Sequence, residues 1–218
     1  MDTTQSPVAV AGTLHSHGDR YRVYDDLLVP ADFEAVAALF ERLELTPRTT
    51  NKFEKLDGPS LRGRSVQRRL TAPGAADSRW ENAVVARVRE NFDLFRSGGE
   101  PDDQVTMVFT PWGYPGGSQL HWHRDQGSQK LGAFIYYVHR RWHASWGGAL
   151  AILDAESRSA ELADEEIMDS PLNPVIVMPK PNRLVLLEAN TPHSIQRTDL
   201  SAEGMRCAFA GFVLASPH

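Results

Sequence analysis

SQLHWHRDQGSQKLGAFIYY, residues 118–137, is the stretch on which the predicted fold and chemistry of this 218-residue chain depend. In an extended strand, side chains two positions apart lie on the same face, so His123 and Asp125 can bind one metal ion together. A neutral imidazole and a carboxylate suit a divalent first-row metal, and a second histidine completes a ligand set that leaves coordination positions open on iron(II). The stretch therefore predicts a metal site whose third ligand lies elsewhere in the chain.

His193 is the candidate third ligand. It follows the apolar run 183–187 and stands directly after Pro192, which stiffens the turn, so a loop residue at a strand end can be aimed at an interior ion. Two other histidines, His139 and His143, lie in the polar, tryptophan-rich turn VHRRWHASWGG, where a solvated histidine is the expected finding.

His121 is a further competitor, because strand alternation places it on the same face as His123 and Asp125. Such a pair of histidines is typical of cupin-type metal motifs. Those motifs place a carboxylate a few residues later, and this chain has Gly127 and Ser128 there instead. We therefore expect His121 to lie beside the metal site, and its role as a ligand is the less favoured alternative.

Composition limits the class of protein. The apolar content of 41% is enough for one domain with a sizeable core. The net charge of -5 gives no general reason to bind nucleic acid or an anionic membrane, and no apolar run approaches the roughly 18 residues of a spanning helix. The single cysteine, Cys207, excludes an internal disulfide, and the N-terminal sequence resembles no leader, so a cytoplasmic location is expected.

Two amphipathic helices are predicted behind a flexible N-terminal tail of residues 1–20 and a short strand at 21–28. The first helix begins at Pro30, where PADFEAVAALFERLE places apolar residues at helical spacing. The second spans residues 80–95 and carries a similar apolar stripe. Both helices are expected to buttress a sheet.

Residues 46–79, between the helices, form a polar stretch with eight Arg and Lys against three Asp and Glu. A solvated surface is the first interpretation of such a run. The second is a mobile loop that helps to hold an anionic substrate, since long loops often carry function. Nucleic-acid binding is the weakest, because Phe53 is the only aromatic residue available for stacking on bases.

After Glu100 the pattern changes to short apolar runs separated by Gly, Pro, Asn and Asp, which is typical of an antiparallel barrel or sandwich. An acidic insertion, residues 154–170, interrupts this pattern and is expected on the surface. Eight strands are predicted, at residues 105–109, 118–125, 131–138, 149–153, 175–178, 183–188, 194–197 and 205–214.

Taken together and in this order, several motifs over residues 105–214 resemble the 2-oxoglutarate- and iron(II)-dependent dioxygenases, most closely their prolyl 4-hydroxylase-like branch. The motifs are HRD at 123–125, FIYYV at 134–138, WGG at 146–148, RLVLL at 183–187, PH at 192–193 and a basic residue on the last strand. The resemblance implies a double-stranded β-helix, or jelly roll, with helices packed on its major sheet. It also implies a single domain over residues 21–218, with a helical buttress at 30–96 and a catalytic core at 104–215.

The resemblance also implies the roles of individual residues. His123, Asp125 and His193 become the iron ligands. A basic residue on the last strand anchors the far carboxylate of 2-oxoglutarate, and Arg206 fits this role because a guanidinium can pair bidentately with a carboxylate. Arg197, nearer to His193, remains its rival, since the family places this basic residue closer to the final histidine. Tyr137 aligns with the tyrosine that donates to the same carboxylate.

The implied activity is oxygen-dependent hydroxylation of an unactivated carbon, with release of succinate and carbon dioxide. One small domain without a peptide-binding module favours a small metabolite, such as an amino acid or a natural-product intermediate. A protein or peptide prolyl or other side-chain hydroxylase is the alternative enzyme, and a cupin-like metal-binding protein without turnover is the non-enzymatic one. Four aromatic residues are expected near the mouth of the site: Trp112, Tyr114, Trp142 and Trp146.

Overall fold

The computed structural model describes residues 11–48, 57–70, 79–95, 105–154 and 173–215. Its helices are α1 (Pro30–Glu41), α2 (Arg79–Glu90), α3 (Phe92–Phe95) and a short 3-10 helix (Ala144–Trp146). Its first strands are β1 (Thr13–His17), β2 (Tyr21–Asp25), β3 (Thr46–Pro47), β4 (Leu61–Arg62), β5 (Val66–Arg69) and β6 (Thr106–Tyr114). The remaining strands are β7 (Leu120–His123), β8 (Lys130–Tyr137), β9 (Leu150–Ile152), β10 (Val175–Val177), β11 (Leu184–Glu188), β12 (His193–Ile195) and β13 (Arg206–Leu214).

These strands form two antiparallel sheets. The major sheet has the order β1-β2-β11-β8-β13-β6-β4-β3, with β5 also paired to β6, and the minor sheet has the order β10-β9-β12-β7. Apolar side chains of both sheets meet in one core, where Ile135 and Val185 of the major sheet share a cluster with Leu150 and Ile195 of the minor sheet. This arrangement confirms the predicted jelly roll.

Alternate side chains of strand β8 belong to two separate hydrophobic clusters. Phe134 and Tyr136 belong to the cluster formed with the helices, whereas Ala133, Ile135 and Tyr137 belong to the cluster between the two sheets. All five side chains are buried, as expected for a strand covered on both faces. Tyr137 thus lies on the inner face, which is the orientation that strand alternation predicts.

The helices cover the outer face of the major sheet, as predicted. Helix α1 begins at Pro30, whose fixed φ suits the first helical turn, and it buries Phe33, Val36, Ala37 and Phe40. No helix in the described ranges is long and apolar enough to cross a membrane.

The second predicted helix is interrupted at Asn91, between α2 and α3. The side chain of Asn91 accepts a hydrogen bond from the Tyr24 hydroxyl at 2.7 Å and donates one to the Arg87 carbonyl, also at 2.7 Å. Asparagine favours such local bonds over continuing a helix. The break therefore depends on a contact with Tyr24 of β2, which could not be predicted from the sequence of the helix alone.

Residues 13–17, predicted to belong to the flexible tail, instead form the edge strand β1 on β2. The prediction is wrong here because four of these five side chains are exposed, so the segment has no apolar pattern. The strand forms through backbone pairing at the sheet edge, which needs no buried side chain. Asp154 closes the β1–β2 turn by accepting from the backbone N–H groups of Asp19 (3.1 Å) and Arg20 (2.8 Å). Residues 1–10 of the predicted tail lie outside the described part.

The basic stretch 46–79 is not entirely a loop, since β3, β4 and β5 extend the major sheet beside β6. These strands are short and polar, so they lack the apolar alternation by which strands are recognised in a sequence. Residues 49–56 and 71–78 of this stretch lie outside the described part, as do residues 155–170 of the acidic insertion.

Trp80 joins the helices to the sheet, and its removal should destabilise the fold. Its ring stacks on Phe209 with a centroid distance of 4.1 Å and meets Phe109 edge-on at 5.5 Å. We expect Trp80→Ala to lower the free energy of unfolding by about 3–5 kcal/mol, because it leaves a cavity in the core. Urea denaturation measures this change. Leu200→Ala, at a side chain that is 83% exposed, is the control, and an equal loss in both variants would contradict the packing described.

Candidate active site

Three predicted residues come together where the minor sheet faces the cavity. β12 pairs with β7 so that His193 lies opposite His123. The Nε2 atoms of His123 and His193 lie 4.0 Å and 3.6 Å from the carboxylate oxygens of Asp125, and one ligand atom from each residue lies within 4.8 Å of the others. Two imidazoles and one carboxylate at this separation are the donor set of an iron(II) site with open positions.

The local backbone differs from the prediction in one respect. β7 ends at His123, so Asp125 lies in the loop that follows and not on the strand, whereas His193 begins β12 and is not in a loop. The prediction of a strand over residues 118–125 is wrong at both ends. Asp125 reaches the site because the chain turns after β7, and same-face alternation does not explain its position.

Backbone carbonyls fix the orientation of both histidine rings. The Nδ1–H of His123 donates to the His121 carbonyl and that of His193 to the Thr191 carbonyl, each at 2.8 Å. Because a carbonyl can only accept, each ring keeps its Nε2 lone pair for another partner. Burial, and secondarily the nearby His193, lower the pKa of His123 to about 4, so this ring is neutral at pH 7.

The competing histidines have other partners. His121 Nδ1 lies 2.5 Å from Asp57 Oδ1, and His121 is not a member of the three-residue cluster. His143 is exposed, as predicted. The expectation of a solvated His139 is wrong: its Nε2 donates to the Pro179 carbonyl at 2.6 Å, and the ring is buried behind Arg206 and Trp142.

Arg206 is a cation inside the protein, with 1% of its surface exposed. Its Nε donates to the Gly148 carbonyl at 2.9 Å and its Nη2 to the Tyr137 hydroxyl at 3.0 Å. Within the described ranges it forms no ion pair with a carboxylate. It lines the cavity that also contains the histidines and Asp125, so its charge is available to an anionic ligand there.

The WGG turn positions this arginine. Gly147 and Gly148 both have positive φ values, 65° and 66°, which a residue with a side chain rarely adopts. A Cβ atom at Gly147 would lie 2.4 Å from the Arg197 carbonyl oxygen, and one at Gly148 would lie 3.2 Å from Arg206 Cδ. Arg197 itself is exposed, donates to the Gly117 carbonyl at 2.9 Å and does not line the cavity.

Two tyrosines lie against the guanidinium of Arg206. Tyr137 is fully buried and accepts from it, while Tyr114 lines the cavity with its ring centroid 5.4 Å from the guanidinium carbon. Burial raises the pKa of Tyr114 to about 12, so its hydroxyl remains a hydrogen-bond donor. Tyr114 was predicted only as a possible wall of the mouth. Tyr114 on β6 lies opposite Arg206 on β13. This pairing joins two distant segments of the chain, so a local sequence pattern could not predict it.

The cavity has a volume of about 540 Å³ and combines apolar walls with several charged groups. Leu120, Ile135 and Phe212 supply apolar surface. Trp112 lines the cavity as expected, whereas Trp142 and Trp146 pack edge-on against each other at 5.4 Å and are not part of its lining. A cavity of this size and character is typical of a small-molecule site.

The sequence model of the 2OG-Fe(II) oxygenase superfamily matches residues 107–214, about half of the chain. The chain belongs to this superfamily. The match runs from β6 to β13, so it includes the whole minor sheet, strands β6, β8, β11 and β13 of the major sheet, and the cluster of His123, Asp125 and His193. No curated protein matches the sequence.

Solved structures with the same fold agree with this assignment. A prolyl-4-hydroxylase from Pseudomonas putida has a TM-score of 0.61 at 18% identity, covering 93% of this chain and 95% of that one. A prolyl hydroxylase from Trichoplax adhaerens, in complex with a hypoxia inducible factor peptide fragment, has a TM-score of 0.57 at 14% identity, covering 90% and 84%. EvdO2 from Micromonospora carbonacea, complexed with 2-oxoglutarate, has a TM-score of 0.56 at 12% identity, covering 95% of each. At these identities the likeness shows the fold alone.

The superfamily establishes the class of reaction. The protein is an iron(II)- and 2-oxoglutarate-dependent oxygenase, so its cofactor is iron(II) and its cosubstrates are 2-oxoglutarate and oxygen. The predicted family is confirmed, and the non-enzymatic, cupin-like alternative is set aside. The described site fits these groups, because two imidazoles and a carboxylate suit iron(II) and a buried guanidinium suits a dicarboxylate.

His139 should make the stability of the protein sensitive to mild acid. Burial lowers its pKa to about 4 in the folded chain, while an unfolded histidine titrates near 6.5. Between these values the unfolded state binds the extra proton. The free energy of unfolding should therefore fall by about 1 kcal/mol per pH unit as the pH decreases from 6.5 to 4. Urea titrations at several pH values should show a shallower dependence in His139→Gln. The exposed His143→Gln is the control, and equal slopes in the two variants would contradict the assignment.

Proposed function

We propose that His123, Asp125 and His193 hold the iron and that Arg206 and Tyr137 bind 2-oxoglutarate beside it. The observation that carries this proposal is the convergence of the three-residue cluster and a buried, ion-pair-free arginine on one cavity of the described chain. When bound, the iron and 2-oxoglutarate supply the oxygen activation that converts 2-oxoglutarate to succinate and carbon dioxide and oxidises the substrate.

The protein contributes orientation. The hydrogen bonds from His123 and His193 to backbone carbonyls hold both rings with Nε2 toward Asp125, so that little rearrangement is needed when the metal enters. Such prior ordering raises affinity, because the side chains lose less entropy on binding. Ala208 and Ala210, which line the cavity on the strand of Arg206, leave space beside its guanidinium.

Arg206 binds the distal carboxylate of 2-oxoglutarate in this proposal. A guanidinium presents two parallel N–H donors to a carboxylate, and the low dielectric of a buried site strengthens the pair. Tyr137 is buried beside Arg206 and lies outside the lining of the cavity. It accepts one hydrogen bond from Arg206, and in this proposal its own hydroxyl proton is donated to the same carboxylate. The exposure of Arg197 and its position outside the cavity favour Arg206 over its rival.

The proposed reaction is hydroxylation of an unactivated carbon in a small metabolite, such as an amino acid or a natural-product intermediate. The volume of about 540 Å³ lies within the range of small-molecule pockets, and one catalytic domain over residues 21–218 is proposed to carry the whole activity. A peptide or protein side-chain hydroxylase is the second candidate, which the fold shared with two prolyl hydroxylases favours.

Removal of a proposed ligand should abolish both metal binding and turnover. We expect Asp125→Ala and His193→Ala to weaken Mn(II) binding at least about 100-fold, measured by equilibrium dialysis, because each loses one of three protein ligands. Succinate formation from 2-oxoglutarate under air with added iron(II) should disappear in the same variants. His143→Ala, which removes an exposed histidine, is the control. Metal binding and turnover that persist in Asp125→Ala would refute the proposed ligand set.

Replacement of Arg206 should raise the KM for 2-oxoglutarate. We expect an increase of about 100-fold in Arg206→Ala, since it loses charge-assisted hydrogen bonds worth about 3 kcal/mol, and a smaller increase in Arg206→Lys, which keeps the charge without the fork. Tyr137→Phe should raise this KM about 10-fold, and it tests the site even if Arg206→Ala fails to fold. Arg197→Ala should leave it unchanged. The opposite pattern, with Arg197 critical and Arg206 neutral, would show that the wrong anchor has been chosen.

A further inference from the structure

Two further arginines, Arg48 and Arg62, lie at the outer part of the same cavity. Arg62 on β4 pairs opposite Trp112 on β6, and its guanidinium carbon lies 5.6 Å from the centroid of the indole ring. Arg48, directly after β3, lies 5.1 Å from the same ring. Both arginines line the cavity. Arg62 is exposed and Arg48 partly buried, in contrast to Arg206, so the two mark the solvent side of the site.

The sheet register places Arg62 on the same face as Arg206. β13 pairs with β6 so that Arg206 faces Tyr114 and Ala208 faces Trp112, and β4 continues the row by placing Arg62 beside Trp112. Residues opposite one another in antiparallel strands point to the same side of a sheet. The inner and outer cations therefore border one continuous surface.

Polar contacts hold the outer arginines in place. Arg62 Nη2 donates to Ser65 Oγ at 3.1 Å, and Ser65 Oγ in turn lies 2.8 Å from the Thr110 hydroxyl, which lines the cavity. The backbone N–H of Arg48 donates to the Ser60 carbonyl at 2.9 Å. The guanidinium of Arg62, which lies over Trp112 and is hydrogen-bonded to Ser65, loses less entropy on binding an anion than a free surface side chain does.

The acidic groups of the cavity are engaged elsewhere. Asp57 contacts His121 at 2.5 Å, and Asp125 belongs to the proposed metal site. Within the described ranges, Arg62 forms no ion pair with a carboxylate.

We propose that Arg48 and Arg62 form a substrate-binding site for a carboxylate, so that the substrate of this oxygenase is a small organic acid. The inference rests on the proposed function and specifies its substrate class. The acid group is held bidentately at the mouth while Trp112 and the apolar side chains Leu120, Ile135 and Phe212 contact its carbon skeleton. The carbon to be oxidised then lies toward His123 and His193. This assigns a specific role to part of the basic stretch 46–79.

The test compares free acids with their primary amides. A panel of amino acids and hydroxy acids, each paired with its amide, is added to the full-length protein with iron(II) and 2-oxoglutarate, and succinate release and the change in Tm are measured. We expect acids, and not amides, to stimulate succinate release and to raise Tm, with a response that weakens as NaCl is added. A panel in which no acid acts more strongly than its amide, or in which only peptides act, overturns the proposal.

Variants assign the effect to the two arginines. Arg62→Gln and Arg48→Gln should each raise the KM for a stimulating acid about 10-fold while the KM for 2-oxoglutarate stays the same, because an exposed charge pair contributes modestly. Arg64→Gln is the matched control, since Arg64 lies near Arg62 on the same stretch but does not line this cavity. An unchanged KM for the acid in both variants, an equal effect of Arg64→Gln, or a selective rise in the KM for 2-oxoglutarate overturns the assignment.

The readouts separate this inference from the proposed function. If no compound yields succinate, the proposed oxygenase activity fails. A Tm increase specific for acids that disappears in Arg62→Gln still supports the carboxylate site in that case. If succinate forms but acids have no advantage over amides in either readout, the activity stands and the carboxylate site is refuted.

Discussion

Removing a guanidinium from water costs several kcal/mol unless other groups compensate. The groups around Arg206 provide part of this compensation. Its hydrogen bonds to Gly148 and Tyr137 satisfy part of its donor capacity, and the rings of Tyr114 and Tyr137 face its charge. No carboxylate of the described chain completes the set. In the proposed site this buried charge pairs with a carboxylate of 2-oxoglutarate, for which the small residues Ala208 and Ala210 on β13 leave space.

The two sheets divide the work of the site. The minor sheet supplies His123 and His193 through one pair of neighbouring strands, so the two proposed histidine ligands depend on the register of β7 against β12. The major sheet supplies the cations, with Arg206 on β13 in the interior and Arg62 on β4 toward solvent. A ligand in the cavity lies between these surfaces, where the low dielectric strengthens its polar contacts.

Local patterns predicted helix α1, an antiparallel barrel or sandwich and His123, Asp125 and His193 as candidate ligands, because apolar periodicity and short motifs are short-range signals. The jelly roll and the roles of these residues were implied by the family resemblance of the ordered motifs. The strands β1 and β3 to β5 were not predicted, since polar edge strands depend on backbone pairing that leaves little mark on a sequence. The burial of His139 and the placement of Tyr114 beside Arg206 were missed for a related reason. Both depend on contacts between segments that are far apart in the chain.

The pairing of β12 with β7 has a consequence for folding during synthesis on the ribosome. His123 and Asp125 leave the ribosome before His193, which is about seventy residues further along the chain, and Arg206 follows His193. Closing so long a loop is slow relative to local folding. With the proposed ligand set, a partly synthesised chain would offer a metal only two protein donors, so complete coordination would have to wait until β12 has formed.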